Sequence, residues 1–179
     1  MYSALFCCED WDNSWPPYSI ETHASDLLAF LEAIKVENVH IVAWSSGSHI
    51  ALRAAQKSPQ SIRAIFMYEP VVPSYVENEQ TLQMIGEDAH QMVGPAVKQL
   101  EEHNMNRAAE LFLDGVANQP GYFKALDEHS QRIVLDNARM LPLMLNGGEQ
   151  DAPISCKQLK DLKPKIFVAY GEHSEPFFG

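Results

Sequence analysis

Apolar residues along this 179-residue chain fall into two rhythms, short unbroken runs and stripes at helical spacing, and their order predicts a parallel α/β layout. Ser3 to Cys8 reads as a strand, followed by a loop dense in turn formers: Asp10, Asp12, Asn13, Ser14, Pro16 and Pro17. From Glu21 to Lys35, Ala24, Leu27, Leu28, Leu31 and Ile34 make one stripe, with Ser19 or Thr22 available as N-cap. Asn38 to Trp44 is a β-branched and aromatic run of the kind expected for a buried parallel strand. Ile50, Ala51, Ala54 and Ala55 then recur at helical spacing until Ser58-Pro59 stops the pattern. Ile62 to Tyr68 is a second short strand, ended by Glu69-Pro70.

From about Val76 to Asp161 the strand signal disappears and helical spacing takes over. Pro95 to Glu102 is one expected helix, and Arg107 to Val116 another, with Ala108, Leu111 and Phe112 on one side. Glu128 to Leu145 is the longest, striped by Ile133, Val134, Met140, Leu141 and Met144, with Pro142 as a candidate kink. Pro164 precedes a last strand, Ile166 to Tyr170, which stops at Gly171. The expected organisation is an α/β core over residues 1–75 and 162–179, interrupted by a helical cap and return helix over 76–161.

Composition narrows the function classes. With 46% hydrophobic residues the chain is long enough for one globular domain with a substantial core. The net charge of -11, from 24 acidic and 13 basic residues without a Lys/Arg cluster, argues against a nucleic-acid partner. Cys7, Cys8 and Cys156 are odd in number, and two are adjacent, which suits a reduced, cytoplasmic compartment. No stretch approaches the roughly eighteen apolar residues of a membrane span, so a soluble protein with no membrane partner is expected. There is no C-x-x-C, H-E-x-x-H or glycine-rich phosphate loop, so neither a metal nor another cofactor is expected.

The candidate chemistry lies in Ala43-Trp44-Ser45-Ser46-Gly47, between a predicted strand and a predicted helix. A small residue two positions either side of a serine suits a sharp strand-to-helix elbow, in which the serine hydroxyl is exposed on a strained backbone. Ser45 is therefore a candidate nucleophile. Gly47 is expected to relieve crowding in such a turn, with Ala43 adding only a methyl; an ordinary strand-to-helix turn is the alternative.

V-A-W-S-S-G, A-I-F-M-Y-E-P-V-V and K-I-F-V-A-Y-G-E-H-S together resemble the α/β-hydrolase superfamily, and A-A-E-L-F-L-D-G-V, P-G-Y-F and L-D-N-A-R look like the helical cap of its small capped serine hydrolases. The resemblance implies a partial α/β-hydrolase fold, a mostly parallel sheet with flanking helices and a helical cap insertion. It implies Ser45 as acyl-accepting nucleophile and the Ser46 backbone N–H as half of an oxyanion hole. The second oxyanion donor comes, in the family, from a loop after an earlier strand, and the family's histidine follows one more strand than is seen here. The chain is accordingly expected to be truncated at both ends.

The family's usual acid site is a G-x-x-D turn after the late strand, where this sequence has Gly171-Glu172-His173-Ser174, and a serine cannot hold an imidazolium electrostatically. Some members carry the acid after the strand that follows the elbow helix, which makes Glu69 the first candidate, Glu172 the reserve, and a turn-capping role for Glu69 the alternative. His173, just past a strand end, is the candidate stand-in base. His23, His40, His49, His90, His103 and His129 read as surface or packing residues. Trp44, Asn137 and Met140 are candidate substrate contacts, with Trp11, Trp15, Phe66, Met67, Tyr68 and Met144 as further pocket or core residues; Asn137 equally reads as a satisfied buried amide.

The function implied is hydrolysis of a small ester or related acyl bond through a Ser45 acyl-enzyme, on a small-molecule substrate. A serine at the elbow argues against the carboxylate nucleophile of haloalkane dehalogenases and epoxide hydrolases; C–C hydrolases, haloperoxidase-like enzymes and acyltransferases stay open. The alternative is a catalytically incomplete remnant that binds or self-associates through an uncovered sheet edge.

Overall fold

The computed structural model describes residues 18–146, 153–172 and 174. The strand expected at Ser3 to Cys8 and the loop after it lie outside the described residues. In chain order the helices and strands are α1 (Ile20–Ala33), β1 (Val39–Trp44), α2 (Gly47–Lys57), β2 (Ile62–Tyr68), α3 (Glu79–Glu101), α4 (Met105–Val116), α5 (Tyr122–Ala125), α6 (Glu128–Asp136), α7 (Leu141–Asn146), α8 (Cys156–Lys160) and β3 (Lys165–Ala169). They fall into two compact units, one of residues 18–82 with the described residues from 153 onward, the other of residues 83–146.

The first unit holds the sheet. β1, β2 and β3 lie side by side in that order, all parallel, with Val42 opposite Phe66, Phe66 opposite Phe167, and Trp44 opposite Tyr68. α1 begins where Ser19, in an extended conformation, accepts the Thr22 amide at 3.1 Å, which satisfies one of the helix's orphan donors. The buried face of the sheet, Ala43, Ile65 and Met67, packs in one cluster with Ala24 of α1, Ala51, Leu52, Ala54 and Ala55 of α2, and Ile154. Alanines on α2 let its backbone come close to the strands, and burial of the larger aliphatic chains supplies about 25 cal/mol per Å² of apolar surface. Arg53 and Lys57 of α2 both reach Glu21 of α1, the former at 2.6 Å. Both ends of these pairs are partly exposed, so they fix geometry more than they add stability.

The opposite face is open. Val42 is 79% exposed, Trp44 63% and Phe167 54%, with Phe66 and Tyr68 beside them in register. The strand at Asn38 to Trp44 is therefore buried on one side only, where the sequence predicts a strand buried on both. Of the expected pocket residues, Met67 is core, whereas Trp44, Phe66 and Tyr68 belong to this open face; Trp11 and Trp15 lie outside the described residues.

The second unit is helical, and two expectations are corrected there. The helix predicted from Pro95 to Glu102 is the end of a 23-residue helix with Pro95 inside it. The segment Glu128 to Leu145 is not one kinked helix but α6, a 3-10 turn at Ala138–Met140, and α7. The break precedes Pro142, because the proline has no N–H and its ring excludes the carbonyl four residues back; Pro142 instead sits in the first turn of α7. Ala108, Ala109, Ala138 and Leu141 form the buried centre of this unit, with Phe112 against them. Gly115 of α4 lies against the backbone of α3, where an added Cβ would overlap the Met92 carbonyl. Among the described residues no helix is long and apolar enough to cross a membrane.

Two predictions come from this packing. Gly115→Ala should destabilise the protein by about 1–3 kcal/mol in urea denaturation, since neither backbone can yield easily. Gly47→Ala should be neutral or stabilising by up to about 1 kcal/mol, since a Cβ there meets nothing within 4 Å among the described residues. Equal losses for both would refute the close approach at Gly115.

His23 supplies a third. It is 7% exposed, edge-on to Tyr18 with ring centroids 4.6 Å apart, and burial holds its pKa below the ordinary value of 6.5 against the opposing pull of Asp26. The unfolded chain takes up a proton that the folded chain refuses, so the stability from the neutral imidazole is full above about pH 6.5 and is lost as the pH falls through the folded pKa. Glu21, whose pKa is lowered by hydrogen bonds from Lys57 and Arg53, acts only below its ordinary 4.5. The urea midpoint should therefore fall between pH 7.5 and 5.5, with a shallower slope in His23→Gln; an unchanged slope would remove His23 as the cause.

Candidate active site

The register of β1 on β2 decides which residues meet at the sheet's C-terminal edge. Trp44 pairs with Tyr68, so the next residues, Ser45 and Glu69, leave the two strands side by side. Both have left-handed backbones, φ 53° at Ser45 and 48° at Glu69. Lys35, Asn38, His103 and Asn118 also have positive φ, but Lys35, His103 and Asn118 each close a helix, where that conformation is ordinary, and asparagine, as at Asn38 before β1, tolerates it. A serine and a glutamate in it at the ends of adjacent strands are strained at a cost of about 1–3 kcal/mol each.

Hydrogen bonds hold the strain in place. The Ser45 amide donates to the Tyr68 carbonyl at 3.1 Å, the Ser45 carbonyl accepts from the Ser48 amide at 3.0 Å and the Val71 amide at 3.3 Å, and the Glu69 amide donates to the Ala169 carbonyl at 2.9 Å. The elbow is thus tied to α2 and to the segment after β2. Ser46 has helical dihedrals and precedes α2, at the helix end where backbone amides have no partner within the helix.

Crowding is not what selects Gly47. Among the described residues nothing lies within 4 Å of a Cβ built there, and the tight small residue of the elbow is Ala43, which is 6% exposed inside the core cluster. The expectation that Gly47 relieves crowding is corrected accordingly: the sharpness of the turn is carried by the backbone of Ser45.

The Glu69 carboxylate is engaged on both oxygens. Trp44 Nε1 donates to Oε2 at 3.2 Å and the Ser174 hydroxyl donates to Oε1 at 2.5 Å. Ser174 Oγ itself accepts the Gly171 amide at 2.7 Å, and the Ser174 amide donates to the Gly171 carbonyl at 3.1 Å, closing a turn after β3. A Cβ on Gly171 would come within 3.0 Å of Ser174 Oγ and 3.3 Å of the Tyr68 hydroxyl, so the turn fits here only with glycine or after a shift. Sequence reasoning missed the Ser174 and Trp44 contacts with Glu69. The one available signal is the four-residue spacing of the Gly171 turn, which sets Ser174 beside the end of β3.

Of the other predicted residues, Glu172 is exposed and His173 lies outside the described residues. Asn137 and Met140 belong to the helical unit. Asn137 closes α6, its Nδ2 donating to the Ile133 carbonyl at 2.7 Å, while its buried Oδ1 has no partner among the described residues; the amide expected to be satisfied is half satisfied. Met140 ends the 3-10 turn after α6 and is half-buried. Among the described residues no group of three or more His, Cys, Asp and Glu side chains is placed to hold a metal ion.

Comparison with known proteins bears on the family and the fold. The chain is 25% identical to N-formylmaleamate deformylase from Pseudomonas putida, the match taking in 88% of this chain and 63% of that protein. Among solved structures it resembles a bromoperoxidase from Bacillus anthracis with a TM-score of 0.58 at 16% identity, over 90% of this chain and 59% of that one, a likeness of fold. The chain thus spans less than two thirds of the length of these relatives. The family model of the alpha/beta hydrolase fold matches residues 6–174, and this chain belongs to that family.

Proposed function

We propose that the chain carries the nucleophile and acid of a serine hydrolase that cleaves a small ester or related acyl bond through a Ser45 acyl-enzyme. The observation that carries the reading is the pair of strained, adjacent residues: a serine on a left-handed elbow at the head of a helix, beside a glutamate on a left-handed strand end. As the Ser45 oxygen attacks the acyl carbon its proton passes to a base, for which His173 is this chain's candidate; the helix-end amide of Ser46 stabilises the oxyanion, and Glu69 steadies the charged form of that base. The relative from Pseudomonas putida is named for removing a formyl group from nitrogen, which is also cleavage of an acyl bond. Water as second nucleophile completes the cycle without a cofactor.

A fluorophosphonate probe should label the protein at the peptide bearing Ser45, and Ser45→Ala should abolish both labelling and hydrolysis of a p-nitrophenyl ester. Glu69→Gln should lower kcat by on the order of 10³-fold or more, as loss of a triad acid does. Labelling that survives Ser45→Ala would place the nucleophile elsewhere.

A second reading, self-association without catalysis, is favoured by the open sheet face of Val42, Trp44, Phe66, Tyr68 and Phe167, since contiguous exposed apolar surface draws partners. Light scattering should then show a mass that rises with concentration and falls on Val42→Asp. A constant monomer mass across the concentration range would exclude it.

A further inference from the structure

Two turns from opposite ends of the unit, separated by more than a hundred residues, converge on one carboxylate. Ser174 Oγ has one proton to give and already accepts the Gly171 amide, so the 2.5 Å contact commits that proton to Glu69 Oε1. Trp44 Nε1 holds the other oxygen from β1, the strand that delivers Ser45. The carboxylate is therefore fixed by one donor on each oxygen, one from the end of β1 and one from the turn after β3. Rotation about the terminal torsion of Glu69 would break both.

We infer that Ser174 is a positioning residue for Glu69: its hydroxyl, aimed by the Gly171 amide, sets the orientation in which the carboxylate meets the catalytic base. The inference rests on Glu69 being the acid of the proposed hydrolase, but the hydrogen-bonded arrangement itself is measurable without turnover.

The test has two arms. In the ¹H–¹⁵N spectrum the Trp44 indole resonance, identified by its loss in Trp44→Phe, should move in Ser174→Ala and stay near its original position in Ser174→Thr, which keeps the hydroxyl. On a p-nitrophenyl ester, Ser174→Ala should lower kcat about 10- to 100-fold at unchanged KM, the effect of one hydrogen bond to a charged group. Ser174→Thr should recover most of that loss. An indole resonance that Ser174→Ala leaves in place overturns the inference whatever the activity. A resonance that moves with no ester hydrolysis in the parent protein supports the arrangement and sinks the proposed function instead. If the resonance moves and hydrolysis is present, an unchanged kcat in Ser174→Ala overturns the positioning role. Thermal melts of the threonine variant keep the comparison valid should the alanine variant fold poorly.

Discussion

The parallel register between β1 and β2 is the constraint on which the site depends. Because Trp44 sits opposite Tyr68, the chain leaves both strands at one level, and Ser45 and Glu69 become neighbours without any contact of their own being needed. The Ser45 amide on the Tyr68 carbonyl and the Val71 amide on the Ser45 carbonyl then lock the two exits together. A slip of β1 by one residue against β2 would turn Ala43 out of the core and the exposed Trp44 into it, so burial of the small side chain enforces the register that sets Ser45 beside Glu69.

The same sheet is lopsided in a way that fits this dependence. α1 and α2 bury the face that carries Ala43, Ile65 and Met67, while the other face presents Val42, Trp44, Phe66, Tyr68 and Phe167. Trp44 links this surface to the site, since its ring is exposed while its indole N–H holds the Glu69 carboxylate. Whatever packs on that ring also changes the freedom of the Glu69 carboxylate. Coverage of the open face and order at the C-terminal edge are thus one physical problem, not two.

How much of this was legible in the sequence depended on how local each cause is. β2 falls at the predicted Ile62 to Tyr68, and β1 and β3 within a residue of expectation, because short β-branched runs closed by Pro or a turn have few alternatives. The elbow at Ser45 was legible for the same reason. α3 was not: Gly86, Gly94 and Pro95 are breakers by local propensity, and the helix persists through them, with Gly115 offering room for α4 to lie against it. Nor were the bonds from Trp44 and Ser174 to Glu69, which join residues 25 and 105 positions apart and exist only once three strands are in register. Gly47 shows the opposite error, a residue of the right type in the right place for a reason the structure does not support.

The identity of residue 69 is where fold and chemistry separate most clearly. A strand end that must adopt φ 48° is served best by glycine, which meets no Cβ penalty, so the backbone alone gives no reason for a glutamate there. The carboxylate's two donors do give one, for they require an acidic side chain at that point and hold it still. Strain retained at both Ser45 and Glu69, on adjacent strands and tied by backbone hydrogen bonds to each other's segments, is stability given up where glycine was available. An ordinary strand-to-helix turn has no use for the second strained residue; the proposed pairing of a nucleophile with an acid beside it does.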